Sequence, residues 1–131
     1  MKKWISIIIS GGLLSLFAIT SSANPEKLKL ENLLSTPLEG VSNTEVIVSK
    51  VSIPANTTLP KHWHPGEEFV YILEGSVVLW QKGKADIISK KGDVVKVPLK
   101  QIHTAKTQDE GVVALVFRVH ESGKPERVKV D

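Results

Sequence analysis

From Glu45 to His120 the chain is a succession of short β-prone runs cut by turns, a pattern that leaves little room for anything but an antiparallel architecture. Glu45–Ile53 is rich in Val and Ile, and Thr57–His64 runs into Pro65-Gly66. Glu68–Leu73 and Ser76–Gln81 flank Glu74-Gly75, where a turn is expected, and Lys82-Gly83-Lys84 marks another. Ala85–Ser89, Val94–Val97, Ile102–Thr107 and Val112–His120 come next, separated by Gly, Pro and Asp signals. Turns about every eight to twelve residues are the mark of a sandwich or a barrel, so the fold class expected is all-β. No helical period is sustained in this region and no internal repeat is visible.

The ends read differently. Lys2 and Lys3 precede an apolar run from Trp4 to Thr20, and Ser21-Ser22-Ala23 places small residues where a signal peptidase reads them. Residues 1–23 are therefore expected to be a cleaved secretory signal, and the mature protein to be periplasmic or secreted. The run is at the short end for a span, which takes about 20 apolar residues, so no stable membrane anchor is expected. A lead-in, residues 24–44, carries Leu28, Leu30, Leu33 and Leu34 among charges and fits either a short strand or a helical turn. Residues 45–120 form the expected barrel, and 121–131 a polar tail, mobile or an edge strand.

Charge and cysteine count exclude several functions. Lys2 and Lys3 are two of 17 basic residues, which leaves 15 against 14 acidic ones in the expected mature chain. A near-neutral domain without a basic cluster is not expected to bind nucleic acid. The chain has no cysteine, which excludes disulfides, thiolate-bound zinc and iron–sulfur ligation. Any metal must be held by imidazole and carboxylate.

The residues that suit such a site are His62, His64, Glu68 and His103. On a strand, His62 and His64 point to the same side, because side chains alternate faces. A carboxylate just past Pro65-Gly66 can swing back toward them. Taken alone, the histidine pair fits a solvated edge strand equally well. Adjacent strand residues face opposite ways, so Glu67 is expected in solvent if Glu68 points inward. Val70 and Ile72 would then share the inner face, with Phe69, Tyr71 and Leu73 outside. An outward row with two aromatics needs cover, from the lead-in or from a second subunit, and a homodimer is expected. Trp63 and Trp80 are expected to pack rather than to meet substrate, and His120 to be structural or exposed.

At these residues the chain resembles the cupin superfamily, small barrels of the double-stranded β-helix or jelly-roll type. The family's first motif, G-x5-H-x-H-x3,4-E-x6-G, is met by His62, His64, Glu68 and Gly75, with Asn56 at the leading glycine. The second, G-x5-P-x-G-x2-H-x3-N, is met by Gly92, Pro98 and His103, with Lys100 in place of the glycine and Thr107 in place of the asparagine. The short spacing from Gly75 to Gly92 is similar to that of single-domain microbial members. The resemblance implies His62, His64, Glu68 and His103 as ligands of one divalent metal ion, with Mn, Fe, Ni, Cu and Zn all compatible. It also implies an open coordination shell, whereas four donors closed around zinc would be structural.

With an open shell, the resemblance implies a metal-dependent enzyme acting on a small organic molecule, by dioxygenase-like oxidation or by Lewis-acid lyase or isomerase chemistry. A non-catalytic periplasmic module that binds or senses a metal or small ligand is the alternative. The sequence places no evident acid or base beside the ligands, and that absence sustains the second expectation.

Overall fold

Val, Ile and Thr branch at Cβ and pack well on a pleated surface, and they are frequent in several of the nine strands found among the described residues. The computed structural model describes residues 24–131, and the expected signal segment lies outside the described residues. In chain order the strands are β1 (Lys29–Pro37), β2 (Thr44–Ile53), β3 (His62–Trp63), β4 (Gly66–Gln81), β5 (Ile87–Lys90), β6 (Val94–Val97), β7 (His103–Lys106), β8 (Val112–Glu121) and β9 (Val128–Lys129). All pairings are antiparallel, in the order β1-β2-β8-β4-β7-β3-β9, with β5 and β6 also against β4. No helix occurs among the described residues. The sheet curls on itself as a double-stranded β-helix, the jelly-roll arrangement.

Two local expectations are corrected. Glu74-Gly75 does not reverse the chain, because β4 is one continuous strand of 16 residues. A bulge between Ile72 and Glu74 bends it instead. Its first half pairs with β8 and β6, its second half with β5 and β7. Gly75 is required there for two reasons: its φ is +74°, and a Cβ would lie 1.8 Å from the Gly111 carbonyl oxygen. The second correction concerns Thr57–His64, where only His62–Trp63 is strand, with an isolated bridge from Thr58 to Lys106. Pro60 has no N–H to donate, which interrupts a ladder at that point.

The lead-in resolves to strand: β1 extends the sheet beside β2, with a bulge between Asn32 and Leu34. It continues the sheet edge rather than lying across the outer face, so Tyr71 (41 % exposed) and Phe117 (39 %) stay open to solvent. Glu67 is also outside, paired with Lys96 at 2.6 Å. In the tail, β9 pairs with β3.

Val51, Ile53, Ile72, Val77, Val112, Ala114 and Val116 form the buried core, with Leu59, Val70 and Ala105 against it. Most of these come from the inward-facing alternate positions of β2, β4 and β8, so the period of two writes the core directly. The core does not close the cup. A cavity of about 370 Å3 remains inside, and the same aliphatic side chains line it.

Candidate metal centre

His62 starts β3 and His103 starts β7, and the two residues are direct partners in the β3–β7 ladder. His64 follows β3 at the bend before β4. Ring centroids lie 4.8 Å apart for His62 and His64, 4.4 Å for His62 and His103, and 5.2 Å for His64 and His103. One ligating nitrogen of each lies within 4.8 Å of the others, and all three residues are buried. The structure therefore brings the predicted histidines together at one end of an apolar cavity.

Each of the three rings has its Nδ1 tied to a backbone carbonyl. His62 Nδ1 donates to Pro60 O at 2.8 Å, His64 Nδ1 to Glu126 O at 2.6 Å, and His103 Nδ1 to Gln101 O at 2.9 Å. A carbonyl only accepts, so each Nδ1 carries a proton, and in the neutral ring Nε2 is then the nitrogen with the free lone pair. This second hydrogen bond is what orients imidazoles for a metal. Burial drives the His62 pKa down to about 4, against a smaller opposing effect of the Pro60 carbonyl, so this ring is neutral at pH 7.

Glu68 enters from β4, on the face that alternation assigns it. Its Oε2 lies 3.0 Å from His64 Nε2 and its Oε1 3.6 Å from His103 Nε2. His64 Nε2 nevertheless has no hydrogen-bond partner, although it is fully buried. His64 Nε2 and a carboxylate oxygen thus face each other at contact distance, an arrangement that positive charge between them satisfies, whether a proton or a bound cation. The neighbouring His103 and His64 rings add to the burial that disfavours a proton on His62. Burial raises the Glu68 pKa, but contacts with His103 and His64 and the Arg118 charge outweigh it and hold the carboxyl well below the usual range. Three imidazole nitrogens and an ionised carboxylate are a donor set that fits a divalent cation.

The motif departures keep the local geometry. Asn56 and Lys100 take φ of +53° and +55°, the left-handed conformation that glycine adopts readily. Thr107, in the place of the asparagine, accepts from Thr57 N at 3.0 Å and donates to Pro54 O at 2.5 Å. His120 is buried and donates through Nδ1 to Glu121 O at 2.8 Å, apart from the three-histidine cluster.

Sequence reading missed two residues of this site. Arg118, on the inner face of β8, donates from Nε to Glu68 Oε2 at 2.8 Å and is itself buried. Glu126, in the tail before β9, accepts from Arg118 Nη1 at 2.6 Å. An arginine at an inward position of an alternating strand was the available signal, because a buried charge demands a partner. Nothing in the sequence marked Glu126.

A curled antiparallel sheet with buried imidazoles at one end of an apolar cup defines a double-stranded β-helix domain with a candidate metal centre. The chain belongs to the cupin superfamily: a family model described as a cupin domain matches residues 49–119, more than half of the chain. Among solved structures, it is similar to the DMSP lyase DddQ from Ruegeria pomeroyi DSS-3, with 26% identity and a TM-score of 0.66 over 79% of this chain and 52% of that one. The chain thus spans about half the length of that lyase. A cupin-like protein from Thermotoga maritima is 23% identical, with a TM-score of 0.63 over 79% and 75% of the two chains. The polyketide cyclase RemF from Streptomyces resistomycificus is 20% identical, with a TM-score of 0.56 over 79% and 82%. No curated protein matches the chain.

Proposed function

We propose that this chain is a metal-dependent cupin enzyme whose cup takes a small, largely aliphatic molecule, with His62, His64, His103 and Glu68 holding one divalent ion. The observation that carries this is the shared arrangement of the three rings, each with Nδ1 tied to a carbonyl, beside a carboxylate. A bound divalent ion would act there as a Lewis acid that polarises a substrate carbonyl or carboxylate.

The rest of the pocket bears on the substrate. Val51, Ile53, Leu59, Val70, Leu79 and Val116 are among its walls, and among the described residues no aromatic side chain other than the histidines lines it. At about 370 Å3 it is near the small end of ligand sites. Such walls bind an aliphatic skeleton and exclude water, while the polar end of the cup receives an oxygen-bearing group. Lyase or isomerase chemistry is favoured over oxidation, since the more identical of the similar structures is a lyase. Glu126 lines the cavity as a carboxylate outside the proposed ligand set.

A non-catalytic binding or sensing module is the second reading. It is favoured by the shortage of proton-transfer groups: among the described residues no Ser, Thr, Tyr or Lys lines the cavity, and Glu126 is engaged by Arg118. The two readings separate in one experiment. Protein loaded in turn with Mn, Fe, Ni, Cu and Zn is incubated with a panel of small aliphatic carbonyl and carboxylate compounds. Turnover lost in His62→Ala supports the enzyme; saturable binding without product supports the module.

Export and self-association belong to the same proposal. The intact mass of the protein from a periplasmic extract should begin at residue 24. Light scattering should give twice the chain mass if a second copy covers Tyr71 and Phe117.

A further inference from the structure

Glu68 has two carboxylate oxygens, and the protein uses them differently. Oε2 accepts from Arg118 Nε at 2.8 Å and lies 3.0 Å from His64 Nε2, while Oε1 receives no hydrogen bond from any described residue and lies 3.6 Å from His103 Nε2. Arg118 is held in turn. Its Nη1 donates to Glu126 Oε1 at 2.6 Å and reaches Ser49 Oγ at 3.5 Å, so the planar guanidinium is fixed at two of its nitrogens. Glu126 touches the site a second time, through its main chain: its carbonyl takes the His64 Nδ1 proton at 2.6 Å.

We propose that Arg118 and Glu126 are positioning residues of the metal centre, with Glu126 delivered by the C-terminal segment. Arg118 engages Glu68 Oε2 and so fixes the plane of the carboxylate, with Oε2 beside His64 and Oε1, free of hydrogen bonds from the described residues, beside His103. Glu126 locks Arg118 through its side chain and His64 through its carbonyl, so one tail residue sets two of the four ligands. The tail is fastened where this requires it. β9 pairs Val128 with Trp63 and Lys129 with His62, and Val130 N donates to Lys61 O at 3.1 Å. The strand that carries His62 is thus the strand that docks the tail. This inference rests on the proposed metal reading, and the experiment keeps the two apart.

Co2+ is the probe, added to the full chain at pH 7, with affinity read by competition against a fluorescent chelator and ligand geometry by the visible absorption of the bound ion. Glu126→Gln keeps the length of a half-exposed side chain and removes its charge, and it is expected to fold. It should weaken Co2+ about 10-fold and change the shape of the absorption band, as outer partners of metal ligands do. Arg118→Lys, which keeps the charge but not the fork, should weaken it about 10–100-fold. The double variant should bind no worse than Arg118→Lys within about 2-fold, because Glu126's side chain acts through Arg118.

A merely structural role would lower the melting temperature of the metal-free variants and leave Co2+ affinity and absorption at wild-type values. That result overturns the proposal, and Glu126→Gln alone decides it if Arg118→Lys does not fold. If the wild type binds Co2+, His62→Ala does not, and both positioning variants match the wild type, only this inference fails. If the wild type takes up no Co2+, the metal reading fails and carries this inference with it.

Discussion

His62 and His103 are cross-strand partners, joined by the β3–β7 ladder with their rings 4.4 Å apart. Two distant motifs are thereby brought into register by main-chain hydrogen bonding, and the ligand geometry inherits the rigidity of the sheet. A substitution at either ring should remove a donor without disturbing the ladder.

His62→Ala and His103→Ala are accordingly expected to stay folded and to lose divalent-ion binding. The loss should exceed the 10–100-fold typical for an outer partner of a ligand. Elemental analysis of dialysed protein is the check. Stoichiometric metal retained in both variants would remove these residues from the centre.

Metal addition should stabilise the fold by mass action. At about 100 times the dissociation constant an ion adds roughly 2.7 kcal/mol, which for a domain of this size raises the melting temperature by about 10–20 °C. Melting of chelator-treated protein with and without each ion measures it. A curve unmoved by all five ions contradicts the assigned site.

Acid should destabilise the metal-free protein, with the sign set by proton uptake. His62 has a folded pKa of about 4 against an ordinary value of 6.5, so between those values the unfolded chain binds more protons than the folded one. Stability is full above the upper value and is lost as pH falls toward the lower. Glu68, depressed by its neighbours, adds a loss of the same sign below its ordinary value of 4.5. Urea midpoints from pH 7 to 4 should fall, and His62→Gln should flatten the upper part of that slope. An identical slope in the variant would count against a buried neutral imidazole.

Two backbone positions allow predictions of opposite sign. Lys100→Gly should stabilise by about 0.5–1 kcal/mol, because left-handed φ costs a side-chain-bearing residue about 1–2 kcal/mol and glycine's extra chain entropy returns part of that. Gly75→Ala should cost about 3 kcal/mol or more, since its Cβ would overlap the Gly111 carbonyl at 1.8 Å and its φ is positive. Chemical denaturation of both variants tests the pair. A neutral Gly75→Ala would mean that β4 can straighten at its bulge.

The class of fold and most strand positions were legible in the chain itself, because each rests on short-range rules, whereas the set of four candidate ligands came from the resemblance to the cupin motifs. Alternation puts His62 with His64 and separates Glu68 from Glu67, while turn residues mark where runs end. Left-handed φ at Asn56 was foreseeable from the conformational tolerance of asparagine. Other features depended on contacts between segments far apart in the chain. Gly75 looks like a turn residue, yet its role is set by the approach of Gly111. Arg118 meets Glu68 only through the register of β8 on β4, and Glu126 reaches both Arg118 and His64 only because β9 docks on β3. Local preference acts over a few residues, so it could set His62 beside His64 and turn Glu68 inward. Only closure of the sheet could decide which charges face one another inside the cup.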